Sequence, residues 1–156
     1  MKEVELYLIG ESEQCTVYTL QFLRDEDNEF EKFVSKFIND EDYSEDYTRI
    51  AAIIRNIYLN GALERYFRPE GKISDSVVAL PVLKSKLRLY CLRLSDKILI
   101  LGNGGIKTTK TYEEDNELKG YVMTLQNFEE ALKQGASNGT VNITESHIET
   151  DNIFKL

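Results

Sequence analysis

The hydrophobic period of this chain alternates between that of strands and that of helices, and this alternation limits the folds open to it. Residues 3–9 (Glu-Val-Glu-Leu-Tyr-Leu-Ile) and 15–23 (Cys-Thr-Val-Tyr-Thr-Leu-Gln-Phe-Leu) are rich in β-branched and aromatic residues and read as strands. The polar link Gly10–Gln14 predicts an antiparallel hairpin between them. From Asn28 the period changes: Phe30, Phe33, Val34, Phe37 and Ile38 mark one helical face, with Asp25, Asp27 or Asn28 as cap. The acidic stretch 40–46 reads as a loop. Ser44 is placed to cap a second helix bearing Tyr47, Ile50, Ile54, Ile57 and Tyr58, ended or interrupted at Gly61. Arg68-Pro69-Glu70-Gly71 predicts a turn.

Strand-like runs then return at Val77–Leu83, Lys86–Leu94, Lys97–Leu101 and Ile106–Thr111. Pro81 marks an edge or a bend. Ser95-Asp96 and Asn103-Gly104 are the turn candidates, the second being the commonest type I′ hairpin signal. Gly102-Asn-Gly-Gly105 bears a superficial likeness to a phosphate-binding loop, but Ile106 separates Gly from Lys and a strand follows, so the hairpin reading is preferred. Residues 115–134 resume the helical period, with Gly135 as the stop; 136–139 reads as a linker and 140–148 as a final short strand. The expected class is α+β: an N-terminal hairpin, two helices, an antiparallel meander, a C-terminal helix and a short strand.

The 156 residues make one domain, 1–156, large enough for a proper core, and 42% hydrophobic content fits a globular chain. There is no apolar run of about 18 residues, hence no expected membrane span. The N-terminus has no apolar signal core, which places the expected location in the cytoplasm. Cys15 and Cys91 lie in strand-like runs and read as reduced core residues. One His and two Cys do not make a metal site, and no cofactor is expected.

The net charge is −8, which argues against broad, unspecific attraction to nucleic acid. Within that acidic chain, residues 84–112 hold seven Lys/Arg and one acid, a net +6 against −14 for the remainder. Such an island makes a local field for phosphate or an acidic partner. Strand alternation puts Lys84, Lys86, Arg88 and Tyr90 on one face and Leu87, Leu89 and Cys91 on the other. RNA carries its own nucleophile, the 2′-hydroxyl. Cleaving it requires a base, cations for the phosphorane charge and an acid for the leaving oxygen. The single His147 lies in the tail, so Lys84, Lys86, Arg88, Lys107, Lys110 and Tyr112 are the candidates. A lysine whose pKa is depressed can move protons, Arg forks onto phosphate oxygens, and Tyr can donate a proton or stack on a base.

The segment from Leu87 to Tyr112 resembles the sheet core of RelE/HigB-type toxins of bacterial toxin–antitoxin systems: those proteins show an Arg-x-x-Tyr strand, where this chain has Arg88-Leu89-Tyr90, then a short turn, an aliphatic strand and a Lys-rich strand before a helix. The element order resembles that family over about residues 15–134, with 136–156 as an extension. The resemblance implies a metal-independent endoribonuclease, a hydrolase that cuts mRNA, typically on the ribosome, and is silenced by a cognate antitoxin. By the same resemblance Arg88 holds phosphate, Lys84 and Lys86 supply the base, Lys107 and Lys110 form the Lys-rich strand, and Tyr112 stacks or donates a proton. The alternative is a catalytically inactive module of the same fold that engages a protein partner. The split lysines Lys107-Thr-Thr-Lys110 and the acidic remainder of the chain favour that alternative.

Overall fold

A computed structural model describes residues 2–69, 76–82 and 84–156. The class is α+β, with three α-helices among the described residues and a mostly antiparallel sheet. Strands β1 (Glu3–Glu11) and β2 (Thr16–Phe22) form the expected hairpin, with a bulge at Ile9. Helix α1 (Glu29–Phe37) starts at a capping box: Asn28 Oδ1 accepts from Glu31 N at 2.8 Å, and Asn28 N donates to Glu31 Oε1 at 3.0 Å. Helix α2 (Ser44–Asn60) ends at Gly61, whose φ of 97° suits glycine. Its N-cap is Tyr43, with no side-chain cap, so Ser44 is the first helical residue rather than the cap. Asp40 Oδ1 instead accepts from the Asp42 and Tyr43 N–H groups, closing the turn before the helix.

Arg68–Pro69, expected as a turn, form a short edge strand, β3, while Glu70 and Gly71 lie outside the described residues. An edge is where a residue without an N–H is tolerated. β4 (Val77–Pro81), β5 (Leu87–Ser95) and β6 (Ile98–Ile106) follow; Leu83, expected to end β4, is also outside the described residues. Helix α3 spans Asn116–Asn138, capped by Asp115, whose side chain accepts from Glu117 N and Leu118 N. Two-residue strands β7 (Asn142–Ile143) and β8 (Ile148–Glu149) form a separate hairpin, and β9 (Phe154–Lys155) pairs with β1. The expected single strand over 140–148 is thus this hairpin, and the residues that reach the main sheet are 154–155. The order of the main sheet is β3-β4-β5-β6-β2-β1-β9, antiparallel except for β2 beside β6.

Two corrections concern glycine. Asn103-Gly104 does not turn the chain: β6 runs straight through to Ile106, still paired with β5. Neither residue adopts the positive φ that a type I′ turn demands. Between Leu89↔Gly104 and Cys91↔Leu101 the register gains one residue on β6, a bulge at Gly102–Asn103. Glycine is needed there for space, since a Cβ on Gly104 would lie 1.9 Å from the Arg88 carbonyl oxygen. Residues 107–111, expected as strand, are irregular.

Gly135 likewise does not stop α3. It is buried inside the helix where Val141 folds back on it, and the stop is Gly139 in the left-handed region at φ 85°. Gly135→Ala should therefore destabilise, by about 1–3 kcal/mol, because its Cβ would meet Val141 Cγ2 at 2.4 Å. Gly120, exposed within the same helix with nothing near its missing Cβ, should give the opposite result. Gly120→Ala should stabilise by about 1 kcal/mol. Thermal unfolding of the two variants checks the pair.

Helices cover both faces of the sheet. On one face Phe33, Phe37, Ile50, Ile54 and Ile57 of α1 and α2 pack on Val17, Leu87, Leu89, Leu99 and Leu101. On the other, Leu118, Val122, Leu125, Phe128 and Leu132 of α3 pack on Tyr18, Leu20, Tyr90, Leu92, Ile98 and Ile100. This explains why β5 and β6 are apolar on both faces. The face of Arg88 and Tyr90, expected to be solvated, is therefore core under α3, and Tyr90 is fully buried.

Cys15 and Cys91 are buried, unpaired thiols. Burial pushes Cys15 up to about 11 from an ordinary 9.0, and pushes Cys91 up as well. The folded chain thus favours the protonated thiols. That contribution is complete below pH 9 and is lost as pH rises towards 11. The urea midpoint should fall across that window, and a thiol reagent at pH 8 should modify the chain only after denaturation.

Candidate functional site

The basic island is split between the two ends of the β5–β6 hairpin. At the turn end, Arg93 Nε donates to the Ala62 carbonyl at 2.6 Å and Nη2 pairs with Asp96, while Nη1 lies 3.8 Å from Glu64. The turn itself is Asp96–Lys97, one residue later than expected, because Ser95 still pairs with Ile98. Lys97 sits 3.3 Å from Glu145. These two cations serve the fold and are neutralised locally.

The open end gathers the others. Beyond the last rung, Leu87↔Ile106, Lys107 N donates to Lys86 O at 2.8 Å, so the two lysines are backbone neighbours. Lys84 has a φ of 64° in the tight link before β5, and both Lys84 and Lys86 are exposed. Ser85, between them, donates to Asp46 Oδ2 at 2.6 Å and accepts from Leu87 N at 3.0 Å, fixing the link to the start of α2. Arg88 is half-buried. Its Nη1 donates to the carbonyls of Ser85 at 2.7 Å and Leu87 at 3.0 Å. Its Nε is buried without a hydrogen-bond partner among the described residues, an unusual state for a buried donor.

Two sequence candidates stand apart from this group. Lys110 is exposed in the irregular loop after β6, not on a strand. Tyr112 is only 7% exposed, in the core beneath α3, with its ring 6.5 Å from Tyr90 in an edge-on contact. A side chain so placed cannot stack on a base.

One cluster was not anticipated. β2 pairs with β6 only along Thr16–Thr19, so the later carbonyls of β6 lose their strand partner on that side. Lys36, from the last turn of α1, takes the place of that partner: its Nζ donates to Gly104 O at 2.6 Å and to the Tyr121 hydroxyl at 3.1 Å. Tyr121 donates in turn to Glu117 Oε1 at 2.6 Å, and Lys36 also lies 4.8 Å from the Tyr121 ring centre. Burial lowers the Lys36 pKa, opposed by the Glu117 charge. Burial raises that of Tyr121, with the Glu117 hydrogen bond adding to the effect. Lys36 and Tyr121 are 85 residues apart, and the only sequence signal for them was their membership of two helical patterns.

The same end of the sheet has a surface hollow of about 240 Å³ lined by Lys2, Glu3, Phe22, Leu23, Arg24 and Asp25, with the ammonium groups of Lys2 and Lys32 5.3 and 5.5 Å from the Phe22 ring centre. Among the described residues no helix is long and apolar enough to cross a membrane. No protein-family model matches this chain, and no match was found among curated proteins or solved structures.

Proposed function

We propose that the protein is the toxin component of a type II toxin–antitoxin system, with the fold of the RelE/HigB kind: a metal-independent endoribonuclease that cuts mRNA on the ribosome and is held inactive by a cognate antitoxin. The observation that carries this reading is the convergence of Lys84, Lys86, Arg88 and Lys107 at one end of the sheet, around a guanidinium whose buried Nε has no hydrogen-bond partner among the described residues. In this reading Arg88 holds a phosphate oxygen. A neighbouring lysine takes the 2′-hydroxyl proton, the 2′-oxygen attacks phosphorus, the bond to the 5′-oxygen breaks, and an acid protonates that oxygen. Lys36, beside the same end of β6, has its proton affinity moved in the direction a base requires.

A second reading, a nuclease-inactive module of this fold that binds a protein, is favoured by the burial of Tyr112, which withdraws the expected tyrosine from the site. Induction in bacteria separates the two readings. The nuclease reading expects growth arrest and loss of mRNA with the wild type, and about a hundredfold slower RNA cleavage by purified Arg88→Ala, with its circular dichroism unchanged. Wild-type induction without arrest or RNA loss overturns the nuclease. Stable capture of the neighbouring gene's product by such an inactive chain would support the binding module.

A further inference from the structure

We infer that Glu11, Ser146 and His147 form a second chemical site, an acyl-transfer centre for small carboxylic esters with Ser146 as nucleophile. It lies at the opposite end of the sheet from Lys86 and Lys107 and is independent of the RNA reading. His147 is the only histidine of the chain. Its Nδ1 is 2.8 Å from Ser146 Oγ, and its Nε2 is 2.7 Å from Glu11 Oε2. Thr16 Oγ1 lies 3.5 Å from the same Nε2. An ionised carboxylate only accepts, so Nε2 carries the proton in its bond to Glu11. In the neutral ring that leaves a lone pair on Nδ1, which accepts from the Ser146 hydroxyl. The order is nucleophile, base, orienting acid, with the two ring nitrogens exchanged relative to the usual serine-hydrolase arrangement. The imidazole is 45% exposed and Ser146 is half-buried, so the pair is open to a small solute.

The β7–β8 turn does not need these bonds to hold its shape. Thr144 N donates to His147 O at 2.8 Å, and His147 N donates to Thr144 Oγ1 at 3.0 Å, which closes it. Ile148 N donates to the buried Tyr18 hydroxyl at 3.0 Å and ties the hairpin to the main sheet. This frame holds Ser146 and His147 against Glu11, which comes from the far end of β1. Between the closing residues, the N–H groups of Glu145 and Ser146 donate to no described residue. Free N–H groups at and beside the nucleophile are the donors that a developing oxyanion uses. In the reaction Ser146 Oγ attacks the ester carbonyl carbon while Nδ1 takes its proton. The bond to the alcohol oxygen breaks, and that oxygen leaves with the proton from Nδ1. Water, deprotonated by the same nitrogen, then releases the acid and restores the serine hydroxyl. With the pair at the surface of a turn, recognition is confined to the reacting ester, which suits short acyl groups.

The test uses the full-length chain and two probes, diisopropyl fluorophosphate and p-nitrophenyl acetate. With the first, the expected result is a covalent adduct that mass spectrometry maps to Ser146, its new P–O bond formed as fluoride leaves. His147→Gln should slow that labelling about a hundredfold. Glu11 is a positioning residue, and Glu11→Gln can present an N–H to Nε2 and so lose the tautomer. It should lower kcat for p-nitrophenyl acetate about tenfold with KM unchanged and with the circular dichroism of the wild type. Absence of an adduct on Ser146, labelling of His147→Gln as fast as that of the wild type, or an unchanged kcat in Glu11→Gln would each overturn the inference. The adduct map of the wild-type chain decides the matter even where a variant fails to fold.

Discussion

Gly104→Ala should cost about 4 kcal/mol or more, a loss that leaves a chain of this size largely unfolded. The expectation follows from space alone, since Gly104 does not have a positive φ. Its missing Cβ would sit 1.9 Å from the Arg88 carbonyl oxygen and 2.9 Å from Leu89 Cα, both backbone atoms within the β5–β6 ladder near its open end. Neither can move without breaking the pairing that joins two central strands of the sheet. Gly105→Ala is the control: its Cβ would meet only Leu118 Cδ2, at 3.1 Å, the end of a side chain that can rotate, and should cost about 1 kcal/mol. Urea unfolding of both variants reads the difference. A Gly104→Ala chain as stable as Gly105→Ala would mean that β6 does not run through this point and that Asn103-Gly104 turns after all.

That glycine also shows what could be read from the sequence and what could not. The β1–β2 hairpin, the α1 cap and the Gly61 stop depend on neighbours within a few residues. The sequence shows the hairpin, narrows the cap to Asp25, Asp27 or Asn28, and marks Gly61 as a stop or an interruption; the fold uses Asn28 and ends the helix at Gly61. Asn103-Gly104 and Gly135 carry the same letters as turn and stop signals. In the fold they answer to Arg88 and Val141, so the need is for room rather than for a special backbone angle. The basic face failed for a related reason. Alternation correctly separates Arg88 and Tyr90 from Leu87 and Leu89, but which face stays open depends on where α3 packs, and α3 covers the Tyr90 side. The candidate site was legible as far as the backbone carries it: Lys86 and Lys107 meet because their strands pair. Tyr112 was misread because its surroundings come from the far face of the sheet, and Lys36 was missed because its partners, Gly104 and Tyr121, lie 68 and 85 residues away.

Phe33→Ala should lower stability by about 3–5 kcal/mol, the usual range for emptying a fully buried aromatic site. Phe33 is the centre of the α1 layer, its ring 6.4 Å from Phe30, 5.2 Å from Phe37 and 6.2 Å from Tyr47. Those neighbours belong to two helices fixed to the sheet by their own contacts, so the cavity would collapse only in part. Phe30→Ala, at the half-buried margin of the same cluster, should cost clearly less. The variant also tests how the layers are joined, because α1 carries Lys36 to the Gly104 carbonyl. Loosening α1 in the remaining folded population should speed hydrogen exchange near the end of β6 as well as in α1 itself. Lys36→Met, which keeps much of the side-chain stem but removes the ammonium, should give the β6 effect with a much smaller stability loss. If Phe33→Ala costs less than about 1 kcal/mol, or leaves exchange at the end of β6 untouched, then α1 is not the element that closes this side of the sheet.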